Sequence, residues 1–399
     1  MGQILLLNVS GRDQPGLTQS LTAILDAHHV RVLDIGQAVV HDELALGLLI
    51  EVGNNSPALQ GAILAKAKNL GVHARFSEIS EPALRDWIGR GEKERYVITA
   101  LAPALTAAHL SSVSGAVAGC RLNIDAIERL SSRESLAGAT GRACVQFRVS
   151  GPNPDASQLR ADLLALAQRT GIDIAFQPES QFGRSRRLIA FDMDSTLIQA
   201  EIIDELAKMK GVGEEVSRVT EAAMRGEIDF KQSFTRRLSL LRGLPESRVL
   251  ELLDRVPLSD GAERLIATLK RQGYKTAILS GGFMFFGRHL QNRLGIDHLH
   301  ANELEIVDGL VTGNVVPPIM DGQRKAEMLQ QIANEEGIAL EQSIAVGDGA
   351  NDLPMLTLAG MGIAYRAKPV VRNSAQHAIS TLGLDAILYL LGIRDRAAQ

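Results

Sequence analysis

The sequence predicts an α/β protein: a doubly wound parallel sheet with a helical cap, preceded by two ferredoxin-like βαββαβ units. Three observations carry this expectation. One strand–helix pattern occurs twice in the first half, with Leu33-Asp34-Ile35 and Ile124-Asp125-Ala126 corresponding at an offset of about 90 residues. After Gln177–Ser185, a polar stretch with Pro and Gly and no periodicity, short apolar strands alternate with helical patterns. Acidic residues and glycines then cluster where those strands end.

In the first copy, Gln3–Ser10 alternates as a strand and Pro15–Ala27 has helical periodicity. Arg31–His41 and Ala45–Gly53 read as a strand pair, Ala58–Leu70 as a helix and Val72–Ile79 as a strand. The second copy runs Arg95–Leu101 strand, Thr106–Gly119 helix, Arg121–Leu130 and Ala143–Ser150 strands, Asp155–Thr170 helix and Ile172–Phe176 strand. Ser150-Gly151-Pro152-Asn153-Pro154 is a loop within it, and Gln177–Ser185 a linker. The domains expected are residues 1–85, 90–178 and 183–396, the last with a cap at about 200–260.

Composition narrows the partners. The 399 residues carry 42 Lys+Arg against 46 Asp+Glu, a net charge of −4 that gives no general attraction to nucleic acid or anionic membrane. Aromatics are 4%, which disfavours a base-stacking surface. Cys120 and Cys144 are the only cysteines, so there is no disulfide framework or cysteine zinc cluster, and a cytoplasmic location is expected. The start, MGQILLLNVSGRD, is a poor signal peptide, and Leu6 stands where a myristoylation signal needs Ser or Thr. No apolar run approaches the roughly 18–20 residues of a membrane span.

Four segments carry chemistry. The strand Arg187–Phe191 runs into Asp192-Met193-Asp194-Ser195-Thr196-Leu197. Two carboxylates so placed stand where open parallel sheets bind ligands, and they are costly together unless a cation or proton offsets them. A divalent cation is the natural solution. Lys275–Leu279 leads into Ser280-Gly281-Gly282-Phe283, where a hydroxyl and unobstructed N–H groups suit a phosphoryl group. Lys325 lies in the first turn of a helix opening Gln323-Arg324-Lys325-Ala326, against the helix dipole, and so needs an anionic partner such as phosphate. Finally, Ser343–Val346 precedes Gly347-Asp348-Gly349-Ala350-Asn351-Asp352, two acids around a glycine turn whose spacing is not that of an EF-hand.

In this order, Asp192–Thr196, Ser280–Gly282, Lys325 and GDGANDLPML resemble the haloacid dehalogenase superfamily of phosphotransferases, over about residues 186–390. The resemblance implies a Rossmann-like sheet and Asp192 as the nucleophile that takes the phosphoryl group. It implies Asp194 as acid and then base, and Mg2+ held by the Asp192 and Asp348 carboxylates and the Asp194 carbonyl oxygen. Ser280, Gly281 and Lys325 would offset the phosphoryl charge, with Asp352 behind Lys325 or a metal water. DMDSTLIQAE, MRGEIDF, FTRRL, LSGGF and VGDGANDLPM narrow the likeness to the phosphoserine phosphatases. That family implies O-phospho-L-serine as substrate, Glu201 for its ammonium, Arg237 for its carboxylate, Met224 and Phe230 as walls against water, and Asn351 at the phosphate or substrate. Alternatives are another phosphorylated amino alcohol or a phosphoprotein as substrate, or an amino-acid sensor with an inactive phosphatase domain.

The turn Gly11-Arg12-Asp13-Gln14-Pro15-Gly16-Leu17 resembles the opening turn of the ACT domain, an amino-acid-binding regulatory module. Asp13 and Gly16 are its candidate ligand residues, L-serine the implied effector, and a homodimer the implied assembly. The bland reading of the same turn has Asp13 capping a helix that begins at Pro15. The second copy reads Ala102-Pro103-Ala104-Leu105-Thr106 there, without the acid or glycines. His28, His29, His289, His298 and His300 lack a metal-ligand grouping, and both cysteines read as buried packing residues.

Overall fold

The computed structural model describes residues 2–53, 56–89, 94–132, 141–151, 155–180 and 185–395, save the side chain of Met224. Residues 1–93 and 94–399 form two compact units.

The first unit comprises β1 (Gln3–Arg12), α1 (Leu17–Ala27), β2 (Arg31–Val40), β3 (Glu43–Val52), α2 (Ser56–Asn69), β4 (His73–Glu78) and α3 (Glu81–Gly89). Its antiparallel sheet has the order β2-β3-β1-β4. Alternation does the folding: Leu44, Leu46, Leu48 and Ile50 of β3 and Leu5, Leu7 and Val9 of β1 all point into one core. Leu17, Leu21 and Leu25, four apart on α1, close it. The helix begins at Leu17 rather than Pro15, because Gly16 takes a left-handed φ of 83° at its N-cap and no side chain caps it. The Asp13 N–H instead donates to the Asp42 carbonyl.

The second unit opens with β5 (Glu94–Ala102), α4 (Ala107–Gly119), β6 (Asn123–Arg129), β7 (Ala143–Gly151), α5 (Ala156–Thr170) and β8 (Asp173–Pro178). The order β6-β7-β5-β8 repeats that of the first unit. Pro152–Pro154 of the expected loop and residues 181–184 of the expected linker lie outside the described residues.

The chain then runs β9 (Leu188–Phe191), α6 (Ile202–Lys210), α7 (Gly213–Met224), α8 (Phe230–Leu240), α9 (Glu246–Glu251), α10 (Ala262–Arg271), β10 (Lys275–Phe283), α11 (Met284–Leu294) and β11 (His298–Asn302). It continues through β12 (Leu304–Val307), β13 (Leu310–Val315), α12 (Gly322–Glu335), β14 (Ser343–Gly347), α13 (Leu353–Leu358), β15 (Met361–Tyr365), α14 (Pro369–Ser374), β16 (His377–Ile379) and α15 (Ile387–Leu390). The parallel sheet has the order β11-β10-β9-β14-β15-β16. Strand order reverses at β9, so the C-terminal ends of β9, β10 and β14 converge at the crevice where such sheets bind ligands.

The cap at 200–260 is helical, as expected, built from α6 to α9, and a hairpin from later in the chain packs against it. The antiparallel pair β12–β13 joins it, with Gly243 N–H donating to the Val311 carbonyl and Val311 N–H to the Leu244 carbonyl. Phe234 of α8 reaches Phe283 at the end of β10 with ring centroids 6.0 Å apart, which seats the cap over the crevice.

The second ferredoxin-like unit is welded to the catalytic sheet. Asp173 Oδ2 accepts from Ser380 N (2.8 Å), Thr381 N (2.8 Å) and Thr381 Oγ1 (2.7 Å). Arg142 and Arg264 both donate to Asp385 Oδ2 at 2.7 Å, and Arg264 continues to Asp395 Oδ1 at 2.7 Å. Leu101, Leu130, Cys144 and Ala175 share an apolar core with the catalytic strands. Of the two free cysteines only Cys144 is buried; Cys120 is half-exposed, contrary to expectation. Among the described residues no helix is long and apolar enough to cross a membrane.

Candidate active site

The four residues of β9 are fully buried, and Asp192 N–H extends the ladder by donating to the Val346 carbonyl at 2.8 Å. The chain must then turn sharply. Ser195 takes a left-handed φ of 54°, and its N–H donates to the Ala200 carbonyl at 3.1 Å. Its hydroxyl donates to Glu201 Oε1 at 2.8 Å, tying the start of the cap to the Asp192–Leu197 turn. Asp192 and Asp194 are both buried.

Lys325 is fully buried, with Nζ 2.9 Å from Asp192 Oδ1 and 2.7 Å from Asp352 Oδ1. The anion that the sequence reading assigned to phosphate is thus supplied by two carboxylates. Asp321 holds the start of α12 through its Oδ1, which accepts from Arg324 N at 2.9 Å. Asp352 Oδ2 also accepts from Gly349 N at 2.9 Å. Gly347 is required behind it, since a Cβ there would lie 2.4 Å from Asp352 Cγ.

Ser280 is fully buried, and its Oγ accepts from Gly282 N at 2.9 Å. A Cβ on Gly282 would lie 2.6 Å from Asp194 Oδ2, so β10 and the Asp192–Leu197 turn meet backbone to side chain. A Cβ on Gly281 would lie 3.1 Å from Phe230 Cζ, which puts this cap residue over the phosphoryl-binding candidate. Arg237, also from α8, has a buried Nε with no hydrogen-bond partner among the described residues. Its charge lies near Glu201 and Asp204 and favours their ionised forms. Asn351 is half-buried, its carbonyl oxygen 2.5 Å from where a Cβ on Gly322 would stand. The Met224 side chain lies outside the described residues. In the first unit, Asp13 is exposed, and a Cβ on Gly16 would meet nothing within 4 Å.

Carboxylates outnumber cations in the crevice. Oxygens of Asp192, Asp348 and Asp352 lie within 4.8 Å of one another, with Lys325 the ammonium among them. Burial, then Asp192 and Asp352, push the Asp348 carboxyl up to about 8. Burial and Asp192 push Asp352 to about 7. Asp194 is held well above the usual carboxylate range by burial, Glu201 and Asp192, so it keeps its proton more readily than an exposed acid. Burial works against the Lys325 charge, but Asp192 and Asp352 outweigh it and hold the ammonium above its ordinary value. Acids this crowded fit a hard divalent cation.

Two features escaped the sequence reading. Asn302 donates to the Gly281 carbonyl and accepts from Met320 N, both at 2.7 Å, clamping the Ser280–Gly282 loop to the segment that leads into α12. Lys231 beside Phe230 pairs with Asp321 at 2.9 Å, joining cap to core.

Residues 189–357 match the haloacid dehalogenase-like hydrolase family, and residues 3–77 and 95–177 each match an ACT domain family. A phosphoserine phosphatase from Mycobacterium tuberculosis is 38% identical over 97% of this chain and 93% of its own. The chain belongs to the phosphoserine phosphatase family. A second member, from Streptomyces coelicolor, is 40% identical over 98% of this chain and 92% of its own. Among solved structures, a probable phosphoserine phosphatase from Vibrio cholerae shares 34% identity, covers 75% of this chain and 88% of its own, and has a TM-score of 0.59. A haloacid dehalogenase family hydrolase from Salmonella enterica serovar Typhi gives 32% identity, 74% and 98% coverage and a TM-score of 0.65. As a member of the phosphoserine phosphatase family, the chain is a phosphatase carrying two ACT domains.

Proposed function

We propose that the chain hydrolyses O-phospho-L-serine to L-serine and phosphate, the last step of L-serine biosynthesis, through an aspartyl-phosphate. The observation that carries the reading is Lys325, buried between Asp192 and Asp352 beside Asp348, with Asp194 held well above the usual carboxylate range by burial, Glu201 and Asp192. An Asp192 oxygen attacks phosphorus and the bond to the serine oxygen breaks, the proton of Asp194 passing to that oxygen. Asp194 then takes a proton from water as the water attacks phosphorus, and the bond to Asp192 breaks. Ser280, the Gly281 N–H and Lys325 offset the phosphoryl charge. Asp192, Asp348 and the Asp194 carbonyl would hold Mg2+, which when bound supplies charge neutralisation at the phosphoryl oxygens. Asp352 keeps Lys325 in place.

Glu201 meets the substrate ammonium and Arg237, with its unpaired Nε, the carboxylate. Phe230 closes over Gly281, Met224 completes that wall, and Asn351 contacts phosphate or substrate. The catalytic part spans residues 183–396, with regulatory modules at 1–85 and 90–178, in a cytoplasmic homodimer. An amino acid, most simply the product L-serine, acts at Asp13 and Gly16, where the left-handed Gly16 leaves room for a ligand. Serine titration with wild type and Asp13→Ala, read as turnover and melting temperature, tests that site.

The substrate is tested by phosphate release from phosphoserine, phosphothreonine and phosphoethanolamine, with Mg2+ and with chelator. Phosphoserine should be preferred, Asp192→Asn should release nothing, and Arg237→Ala should erase the advantage over phosphoethanolamine, which lacks the carboxylate. Equal turnover of phosphoethanolamine and phosphoserine by the wild type would overturn the assignment.

A further inference from the structure

A cavity of about 260 Å³ lies where α5 and β8 meet α14 and β16, lined by none of the residues placed in the active site. It falls just below the ~300–1,000 Å³ of ordinary ligand pockets, the size for a small metabolite rather than a nucleotide. Leu163, Leu164 and Phe176 give it an apolar wall. Arg160 and Arg372 also line it, and the Arg160 guanidinium is fixed by donating from Nη2 to the carbonyl of Gln376, another lining residue, at 2.9 Å.

His377 lines the same cavity and is 6% exposed, yet its buried Nδ1 has no hydrogen-bond partner among the described residues. Burial, with Arg160 and Arg186 close by, drives the ring to about 3 and keeps it neutral. A buried imidazole nitrogen left unpaired is unfavourable, and buried polar groups are ordinarily satisfied. Nδ1 itself has almost no accessible surface, so a ligand donor or acceptor satisfies it once the ring turns towards the cavity. Two arginines beside an apolar wall and a neutral imidazole are complementary to an organic carboxylate that carries one further polar group.

We propose that this cavity binds a small organic carboxylate with an adjacent amino or hydroxyl group and an apolar side chain. Arg160 and Arg372 hold its carboxylate, His377 Nδ1 bonds its polar group, and Leu163, Leu164 and Phe176 receive its side chain. The site is separate from the Asp13–Gly16 turn and independent of the phosphatase reading, because its readout is binding alone.

The test is calorimetric titration of the full chain with L-leucine, L-valine and 2-hydroxyisocaproate, the two amino acids and the hydroxy acid distinguishing the sources of that chemistry. At least one probe should bind the wild type at one site per chain and raise its melting temperature by a few degrees at saturation. The double variant Arg160→Gln with Arg372→Gln should bind at least about tenfold more weakly, a loss expected for charge-assisted contacts to a carboxylate. Leu164 is 41% exposed, so Leu164→Trp can fill the cavity from its rim without disturbing the core, and it should abolish binding. Asp13→Ala should bind as the wild type does. Absence of binding for all three probes, or binding that survives Leu164→Trp or is lost in Asp13→Ala, would overturn the proposal.

Discussion

Replacing Lys325 with methionine keeps the volume and removes the ammonium from a fully buried position. Asp192 at 2.9 Å and Asp352 at 2.7 Å then face each other and Asp348 without it. Removing one partner of a buried ion pair costs about 3–5 kcal/mol, and a cation shared by two carboxylates belongs in the upper part of that range. The cost should depend on pH. Lys325 lowers both Asp348, at about 8 beside it, and Asp352, at about 7, so without it both rise; acid conditions then protonate the crowded carboxylates and soften the loss, which grows towards pH 9 as they ionise. A divalent cation should likewise restore part of the stability. Urea denaturation of wild type and Lys325→Met at pH 6 and pH 9, in chelator and in Mg2+, reads all four cases. The turnover of Lys325→Met should fall about 10²–10³-fold, the usual cost of deleting one charge-stabilising group. If the variant unfolds at the wild-type urea concentration in chelator at pH 9, Lys325 does not neutralise the cluster and the electrostatic account of the site is wrong.

Gly282→Ala puts a Cβ 2.6 Å from Asp194 Oδ2, and kcat should fall by about 10²-fold as the acid is displaced. Gly281→Ala meets only the ring edge of Phe230 at 3.1 Å and should act mainly on KM; steady-state kinetics of the pair separates the two. Arg142→Ala leaves Asp385, 2% exposed at its side chain, with Arg264 as its remaining arginine and should lower stability by about 1.5–3 kcal/mol in urea. His377 sits at about 3 in the folded chain, below its unfolded value near 6.5. The unfolded chain therefore takes up the proton first, and stability should be lost as pH falls from about 6.5 towards 3, by up to about 1.4 kcal/mol per unit. His377→Phe should flatten the urea midpoint against pH, and identical slopes for both proteins would refute it.

What could be read from the sequence was local in the chain. Phe191-Asp192 ends a four-residue apolar strand, and Lys325 stands in a helical turn that disfavours it; neighbours alone reveal both conflicts. What could not be read was long-range. Asn302 joins Gly281 to Met320, and Lys231 finds Asp321, and nothing around either residue announces its partner. The β12–β13 hairpin is different, because its signal was present. Asp308-Gly309 between Leu304–Val307 and Leu310–Val315 takes φ of 51° and 74°, the two left-handed residues of a tight hairpin turn. The helix starts at Leu17 because Gly16, not Pro15, sets the turn, and a left-handed glycine cap has no side chain to read.

The chain carries a net charge of only −4, yet Asp192, Asp194, Glu201, Asp348 and Asp352 converge against Lys325 and Arg237. Five carboxylates and two cations do not balance. The proton favoured on Asp194 removes one negative charge, and the proposed Mg2+ at Asp192 and Asp348 would keep Asp348 ionised and offset two more, leaving the constellation neutral. Neutrality before substrate arrives lets a phosphate dianion enter without repelling Asp192. Asp194, packed against Gly282, feels the Lys325 ammonium less than it feels burial, Glu201 and Asp192, so its protonated form is favoured; an Asp194 paired with that ammonium would ionise. The geometry that raises one carboxylate and pins another to lysine therefore supports the proposed division of acid and nucleophile between Asp194 and Asp192, two residues apart.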